Sequence, residues 1–289
     1  QARYHSDITP NNPNIHNPKE DMRMLWKTLL FILAGYLALY TVVFVSQRKM
    51  LYFPKQLQLS KESAILEGIR HWPTFENYRG FISSRDTEDV EGTVIIFHGN
   101  AGVAYHRSFY VEALSKQNMR VILAEYPGYG GREGQLSEEL LVKDALETIR
   151  LAYEAYGAPL YLWGESLGCG VVASALRKMD VPIQGLVLFL PWDTLHNVAQ
   201  THYSYLPVRW LMLDKFNNVE NLQGYDRKVA VLLAGEDEVI PIKHGMKLYE
   251  AITTEKKLWV FENARHNEVP VNPELQWWGE VIAFISQDQ

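Results

Sequence analysis

From residue 78 onward, short apolar runs alternate with longer segments whose apolar positions recur every three to four residues. Thr93-Val94-Ile95-Ile96-Phe97 has the continuous apolar character of a strand buried on both faces. Similar runs predict strands at 121–126 (stopped by Pro127), 160–163, 185–190, 229–234 and 258–261, with 78–83 as a first strand after a connector. Helical spacing is clearest over 137–156, where Val142, Ala145, Leu146, Ile149, Ala152, Tyr153 and Tyr156 share a face. Ser137 is placed to cap that helix and Gly157 to end it. Further helices are expected at 105–117, 171–178, 243–251 and 273–285. Strands alternating with helices predict a mostly parallel, doubly wound sheet, with ligands outside the carboxyl ends of its strands.

Residues 28–47 break this pattern: they carry no charge and have no polar face. Twenty helical residues reach about 30 Å, close to the hydrocarbon thickness of a bilayer. Trp26 at one end and Tyr52 and Phe53 near the other suit interfacial anchors, and Arg23, Lys27, Arg48 and Lys49 bracket the run. A core helix of this length would carry a polar stripe. A cleaved signal would have small residues before the cut, whereas Phe44 and Val45 precede Ser46. The expected organisation is therefore a disordered Asn- and Pro-rich tail over 1–23, a transmembrane anchor over 24–47 and a catalytic domain over 48–289. Localisation is expected to be single-pass at a membrane. Lys and Arg are nearly balanced across the span, so the facing of the domain stays open. The chain opens on Gln1, as expected of a sequence whose start lies further upstream.

The 289 residues carry a formal charge of −6, with basic residues scattered rather than striped, which excludes nucleic acid as an expected partner. A single cysteine, Cys169, rules out an intrachain disulfide and a cysteine-based metal site, and its expected role is that of a buried small hydrophobe. No cofactor and no metal are expected.

The chemistry lies just after the strands. Trp163 leads into Gly164-Glu165-Ser166-Leu167-Gly168, a G-x-S-x-G turn between strand and helix. Such a turn lifts a serine onto an exposed corner, and glycines two residues to either side let strand and helix close on each other. Phe97 leads into His98-Gly99-Asn100-Ala101-Gly102, Tyr126 into a glycine-rich turn, Ala234 into Gly235-Glu236-Asp237-Glu238-Val239-Ile240-Pro241, and Phe261 into Glu262-Asn263-Ala264-Arg265-His266-Asn267-Glu268. A parallel sheet gathers all of these loops on one edge, with serine, acid and histidine in the chain order that a hydrolase of this topology needs.

On these motifs, over roughly residues 50–289, the chain resembles the α/β-hydrolase superfamily, and within it membrane-anchored serine hydrolases related to depalmitoylases and lysophospholipid lipases. It departs from relatives at Arg132, where a serine is frequent, and at Cys169, where a second glycine is frequent. The resemblance implies an α/β-hydrolase fold with a helical cap and one N-terminal transmembrane helix. Ser166 is then the expected nucleophile and His266 its base, so that activity falls as the imidazole protonates. Asp237 is the expected orienting acid, favoured over Glu236 and Glu238 by likeness to family sequences, with Asp193 as an alternative. The backbone amides of Asn100 and Leu167 are the expected oxyanion donors, and His98 a structural hydrogen-bonder. Residues 192–216 read as a cap whose Leu195, Tyr203, Trp210 and Met212 contact substrate. The expected activity is hydrolysis of lipophilic carboxylic esters or thioesters through an acyl-enzyme. The alternatives are a non-catalytic protein of the same fold and an aminopeptidase-like amide hydrolase.

Overall fold

Successive side chains of each central strand enter two different hydrophobic cores. Ile95, Phe97, Ile122 and Leu162 pack into one, beneath the helices at 138–156, 167–176 and 242–251. Val94, Ile96, Val121, Tyr161 and Trp163 pack into the other, beneath the helices at 109–115 and 277–286. This two-sided burial is why the strands read as unbroken apolar runs rather than alternating ones. The computed structural model describes residues 18–84 and 90–287.

Among the described residues, eight strands form the main sheet. They are β1 (Ile69–Trp72), β2 (Gly80–Ser83), β3 (Gly92–Phe97), β4 (Met119–Ala124), β5 (Leu160–Glu165), β6 (Gly185–Phe189), β7 (Lys228–Ala234) and β8 (Lys256–Phe261). Their spatial order is β1-β2-β4-β3-β5-β6-β7-β8. Pairing is parallel from β4 through β8, and antiparallel only where β2 meets β1 and β4. The order reverses at β3, whose neighbours β4 and β5 both follow it in sequence. A crevice therefore opens beyond its carboxyl end, between the loops after β3 and β5.

The chain divides into two units between Ser46 and Gln47. The first unit, as far as it is described, belongs to helix α1 (Pro18–Leu51), which begins on a proline suited to a first helical position and has no buried residue. It is long and apolar enough to cross a membrane, with a mean hydropathy of 2.3 over an 18-residue window. Residues 18–23, expected in a disordered tail, are helical; the rest of that expected tail, residues 1–17, lies outside the described residues.

In the second unit follow α2 (Lys61–Leu66), α3 (Phe109–Ser115), α4 (Glu138–Tyr156), α5 (Leu167–Leu176), α6 (Leu195–His202), α7 (Val208–Leu211), α8 (Asn218–Asn221), α9 (Ile242–Ala251) and α10 (Trp277–Ser286). The Ser137 hydroxyl caps α4 by accepting from the Leu140 N–H at 3.2 Å, and Gly157 ends that helix at φ 71°. Expected helix 105–117 is instead a 3-10 turn over Ala104–Arg107 followed by α3. Strand β4 stops at Ala124, two residues before the expected end, and the buried Glu125 that follows meets His98 Nε2 at 2.9 Å. The elbow helix starts directly at Leu167 rather than after Gly168. Strand β1 was not expected at all. Between β6 and β7, residues 192–216, expected as a cap, supply α6 and α7.

Candidate active site

Ser166 caps α5 with φ 50° and ψ −113°, a left-handed conformation that a serine holds only under restraint from its surroundings. The restraint is visible in the flanking glycines. A Cβ on Gly168 would lie 1.9 Å from the Phe97 carbonyl oxygen, and one on Gly164 would lie 2.6 Å from the Cys169 backbone nitrogen. Strand β3, the elbow and α5 therefore touch backbone to backbone. The Ser166 N–H donates to the Phe189 carbonyl at 2.8 Å, which ties the elbow to β6 as well. Cys169 is wholly buried among apolar groups, its Sγ 3.1 Å from the Gly164 carbonyl, and burial pushes the thiol well above its ordinary pKa.

The loops after β7 and β8 approach just as closely. A Cβ on Gly235 would meet the Glu262 carbonyl oxygen at 2.1 Å, and the Glu236 N–H donates to Ala264 at 3.0 Å. This contact brings Asp237 and His266 together, with Nδ1 of the imidazole 2.7 Å from Asp237 Oδ2. Nε2 of the same ring is 3.2 Å from Ser166 Oγ. The other Asp237 oxygen accepts from the N–H groups of Val239 (2.9 Å) and Ile240 (2.6 Å), so the carboxylate is fixed from both sides.

The rival acids are placed otherwise. Glu236 and Glu238 are exposed while Asp237 is buried. Glu238 accepts from the His266 backbone N–H at 3.3 Å and pairs with Arg265, touching the loop but not the ring nitrogens. Asp193 is buried, and it meets His244 Nδ1 at 3.0 Å, Lys247 Nζ at 2.8 Å and the Asn197 side-chain amide. Burial would raise its pKa, but hydrogen bonds led by Lys247 hold it below the ordinary value.

Beyond β3, the Asn100 carbonyl accepts from Phe53 N–H (2.9 Å) and the Tyr129 hydroxyl (2.8 Å), and its side-chain amide donates to the Leu51 carbonyl at 3.0 Å. Among the described residues no backbone carbonyl accepts from the N–H of Asn100 or from that of Leu167, the first residue of α5. Two uncommitted donors thus flank the crevice next to Ser166.

Sequence reasoning missed the carboxylates that brace these loops. Glu165 is largely buried in the elbow, its side chain 14% exposed, and bound by the Arg107 guanidinium and, at 3.3 Å, by the Tyr110 hydroxyl. Burial alone would raise its pKa, yet the arginine charge and hydrogen bonds keep it below the ordinary carboxylate value. Arg107 also donates to the Ala101 carbonyl at 3.3 Å, so one side chain joins the elbow to the loop after β3. Glu125 accepts from the Ala104 N–H at 3.0 Å and meets His98 Nε2 at 2.9 Å, a structural role for that histidine. Arg132, where relatives differ, pairs with Asp144 at 2.7 Å alongside Arg79. Only the glycine at +56° φ in Gly128–Gly131 hinted at Glu125: a Cβ on Gly130 would lie 2.2 Å from its carboxylate.

The expected cap contacts separate. Leu195 is buried in the core cluster, and Met212 packs against that same cluster, so both serve the core. Tyr203 is 36% exposed and Trp210 82% exposed, so neither is packed into the core as Leu195 is. Phe216 closes the segment by stacking against Gly170, where an added Cβ would meet its ring at 2.7 Å. Among the described residues no group of His, Cys, Asp and Glu is arranged to hold a metal ion.

Comparison with known proteins agrees with this architecture. The profile of a family described as serine aminopeptidase, S33 (Hydrolase_4) matches residues 88–219. An uncharacterized protein of Mycobacterium tuberculosis (strain CDC 1551 / Oshkosh) is 30% identical over 243 residues, spanning 81% of this chain and 84% of that protein. Lysophosphatidylserine lipase ABHD12 of Danio rerio is 33% identical over 184 residues, which cover 57% of this chain and 48% of the lipase. The chain thus spans about half the length of that lipase. An esterase of Pyrococcus furiosus superposes with a TM-score of 0.62 at 16% identity, covering 81% of this chain and 96% of the esterase, and shares the fold. A β3–β5 crevice, a serine on a strained strand-to-helix turn and relatives of this kind lead to one assignment: the chain belongs to the α/β-hydrolases and is a serine hydrolase of the esterase/lipase type.

Proposed function

We propose that the protein is a membrane-anchored hydrolase of lipophilic acyl esters or thioesters, working through an acyl-enzyme on Ser166 with His266 and Asp237 as its relay. The observation that carries this reading is the single imidazole spanning 3.2 Å to the serine hydroxyl and 2.7 Å to a buried carboxylate. In the first half-reaction Ser166 Oγ attacks the acyl carbonyl carbon while His266 Nε2 takes its proton. Asp237 holds Nδ1–H and stabilises the imidazolium. The oxyanion accepts from the N–H groups of Leu167 and Asn100, donors fixed before the charge develops. Collapse expels an alcohol or thiol, which leaves with the proton from His266. Water, activated by the same nitrogen, then releases the fatty acid and restores the serine.

Lipophilic substrates are supported by the uncharged run at 28–47 and by similarity to a lysophosphatidylserine lipase. Residues 24–47 would hold the domain at the bilayer where such substrates partition. The family description also raises amide cleavage, which the same relay could perform. A fluorophosphonate probe should label wild type but not Ser166→Ala, and a panel of long-chain esters, thioesters and aminoacyl amides should rank amides last. Equal labelling of both proteins refutes the nucleophile, and amides ranking first refutes the substrate class.

A further inference from the structure

Tyr205, Trp210 and Leu213, in the segment expected as a cap, are large apolar or aromatic side chains 62%, 82% and 50% exposed. Their exposure is not the result of a loose segment. Val208 and Leu211, between them in sequence, are buried, and Leu206 is buried beside Tyr205. The segment is fastened by four side-chain contacts to the end of α1 and to Tyr52 just after it. Gln47 donates to the Leu211 carbonyl at 3.2 Å and accepts from the Leu213 N–H at 2.7 Å. Arg48 and the Tyr52 hydroxyl each reach Asp214 at 3.1 Å.

Gln47 is the last residue of the uncharged run 28–47, and Arg48 and Lys49 are the first charges beyond it. Charges at that position mark the headgroup level of a spanning helix. A segment hydrogen-bonded to Gln47 and Arg48 is held at the same level, where tryptophan and tyrosine are the preferred side chains. Exposed Arg209 and Lys215 flank the aromatic residues and can pair with lipid phosphates.

We propose that Tyr205, Trp210 and Leu213 form a docking surface that inserts into the interfacial layer of the lipid bilayer and seats the cap there, so that lipid-embedded substrate reaches the site without crossing water. The proposal rests on the reading of residues 24–47 as a membrane anchor. The occupant is a bilayer because the surface begins where the bilayer-length apolar run ends.

The test uses the full chain reconstituted in phosphatidylcholine vesicles. Cys169 is buried, so Leu213→Cys can be labelled selectively with a polarity-sensitive fluorophore, with Glu91→Cys, exposed at the opposite edge of the sheet before β3, as reference. The label at 213 should shift to the blue and be quenched by lipids with brominated acyl chains, while the label at 91 should report water. Equally water-like signals overturn the docking surface, and so does a blue shift that grows with protein concentration without vesicles, which marks a second copy instead. Failure of the chain to float with the vesicles overturns the anchor itself, a separate result. In parallel, the double variant Trp210→Ser, Leu213→Ser should hydrolyse a vesicle-embedded ester about tenfold more slowly and a water-soluble ester within about twofold of wild type. An equal loss on both substrates also overturns the docking surface, whereas inactivity of wild type on both would refute the hydrolase reading and leave the fluorescence result standing.

Discussion

Replacing Gly168 with alanine tests the geometry of the site at its tightest point. The added Cβ would sit 1.9 Å from the Phe97 carbonyl oxygen, 2.7 Å from the Phe97 carbonyl carbon and 3.1 Å from the His98 carbonyl oxygen, all of them backbone atoms. A carbon and an oxygen in contact need a little over 3 Å, so α5 and β3 must part by roughly 1 Å or more. Overpacking of this kind costs about 1–3 kcal/mol, which for a domain of this size lowers the melting temperature by roughly 2–12 °C. The catalytic loss should be larger than the stability loss. The two elements being parted carry Ser166 and Leu167 on one side and the loop to Asn100 on the other, and a 1 Å misplacement costs about 100-fold in rate. The measurement is kcat/KM on a soluble short-chain ester at a temperature well below the variant's melting midpoint, with circular dichroism to certify folding. Gly279→Ala is the control, because its Cβ would meet only the flexible end of Gln117 at 3.2 Å. A folded Gly168→Ala enzyme with wild-type kcat/KM would refute the argument that the β3–α5 contact sets the distance between nucleophile and oxyanion donors.

The three acids after β7 are separable by isosteric amides. Asp237→Asn should lower kcat by about 10,000-fold in esterase assays, because the imidazole loses its orienting charge, while Glu236→Gln and Glu238→Gln should stay within about tenfold. Asp193→Asn should leave kcat of the folded protein near wild type yet lower its denaturant midpoint by about 1–3 kcal/mol of stability, since Lys247 and His244 lose a charged acceptor. Glu165→Gln leaves the Arg107 charge poorly compensated and should cost about 3–5 kcal/mol at neutral pH in urea titrations. Because the folded pKa of Glu165 is depressed, its contribution is complete above the ordinary carboxylate range and disappears as pH falls through the lower folded value. The stability gap between wild type and Glu165→Gln should therefore narrow on acidification, and a gap constant down to acid unfolding would contradict the pairing.

How legible these features were in sequence depends on how far each one is determined locally. Strand β3 could be read because both of its faces are buried, so every residue from Thr93 to Phe97 had to suit an interior. Strand β1 could not, because Ile69-Arg70-His71-Trp72 lies at the sheet edge and one of its side chains is solvated. The elbow was legible through its glycines, whose necessity is a local contact with β3. The brace formed by Arg107 and Glu165 was not, since a pair separated by 58 residues leaves no periodic trace. Apolarity predicted that Trp210 belonged to the cap, but a four-residue helix such as α7 has too few turns to define a face, and the bonds that Gln47 and Arg48 make to the Leu211 carbonyl and Asp214 join positions more than 160 residues apart.

The strain at Ser166 and the braces around it follow from one requirement. A nucleophile at φ 50° relaxes unless neighbouring elements hold it, and the oxyanion donors are useful only at a fixed separation. Hydrogen bonding within the elbow cannot set that separation, because Leu167 begins α5 and Asn100 follows β3, an independent strand end. Arg107 sets it by donating to Glu165 beside the serine and to the Ala101 carbonyl beside Asn100. The far side of the same loop is held by Tyr129 and Phe53 on the Asn100 carbonyl, and by Tyr126 on the His98 carbonyl at 2.8 Å. Each of these partners takes an oxygen of the loop and leaves the Asn100 N–H unused. The polar groups around the crevice thus spend their hydrogen bonds on one another and on loop carbonyls and leave two amides free; in the function proposed above, the tetrahedral oxygen of an acyl transfer is the group whose charge such a pair would receive.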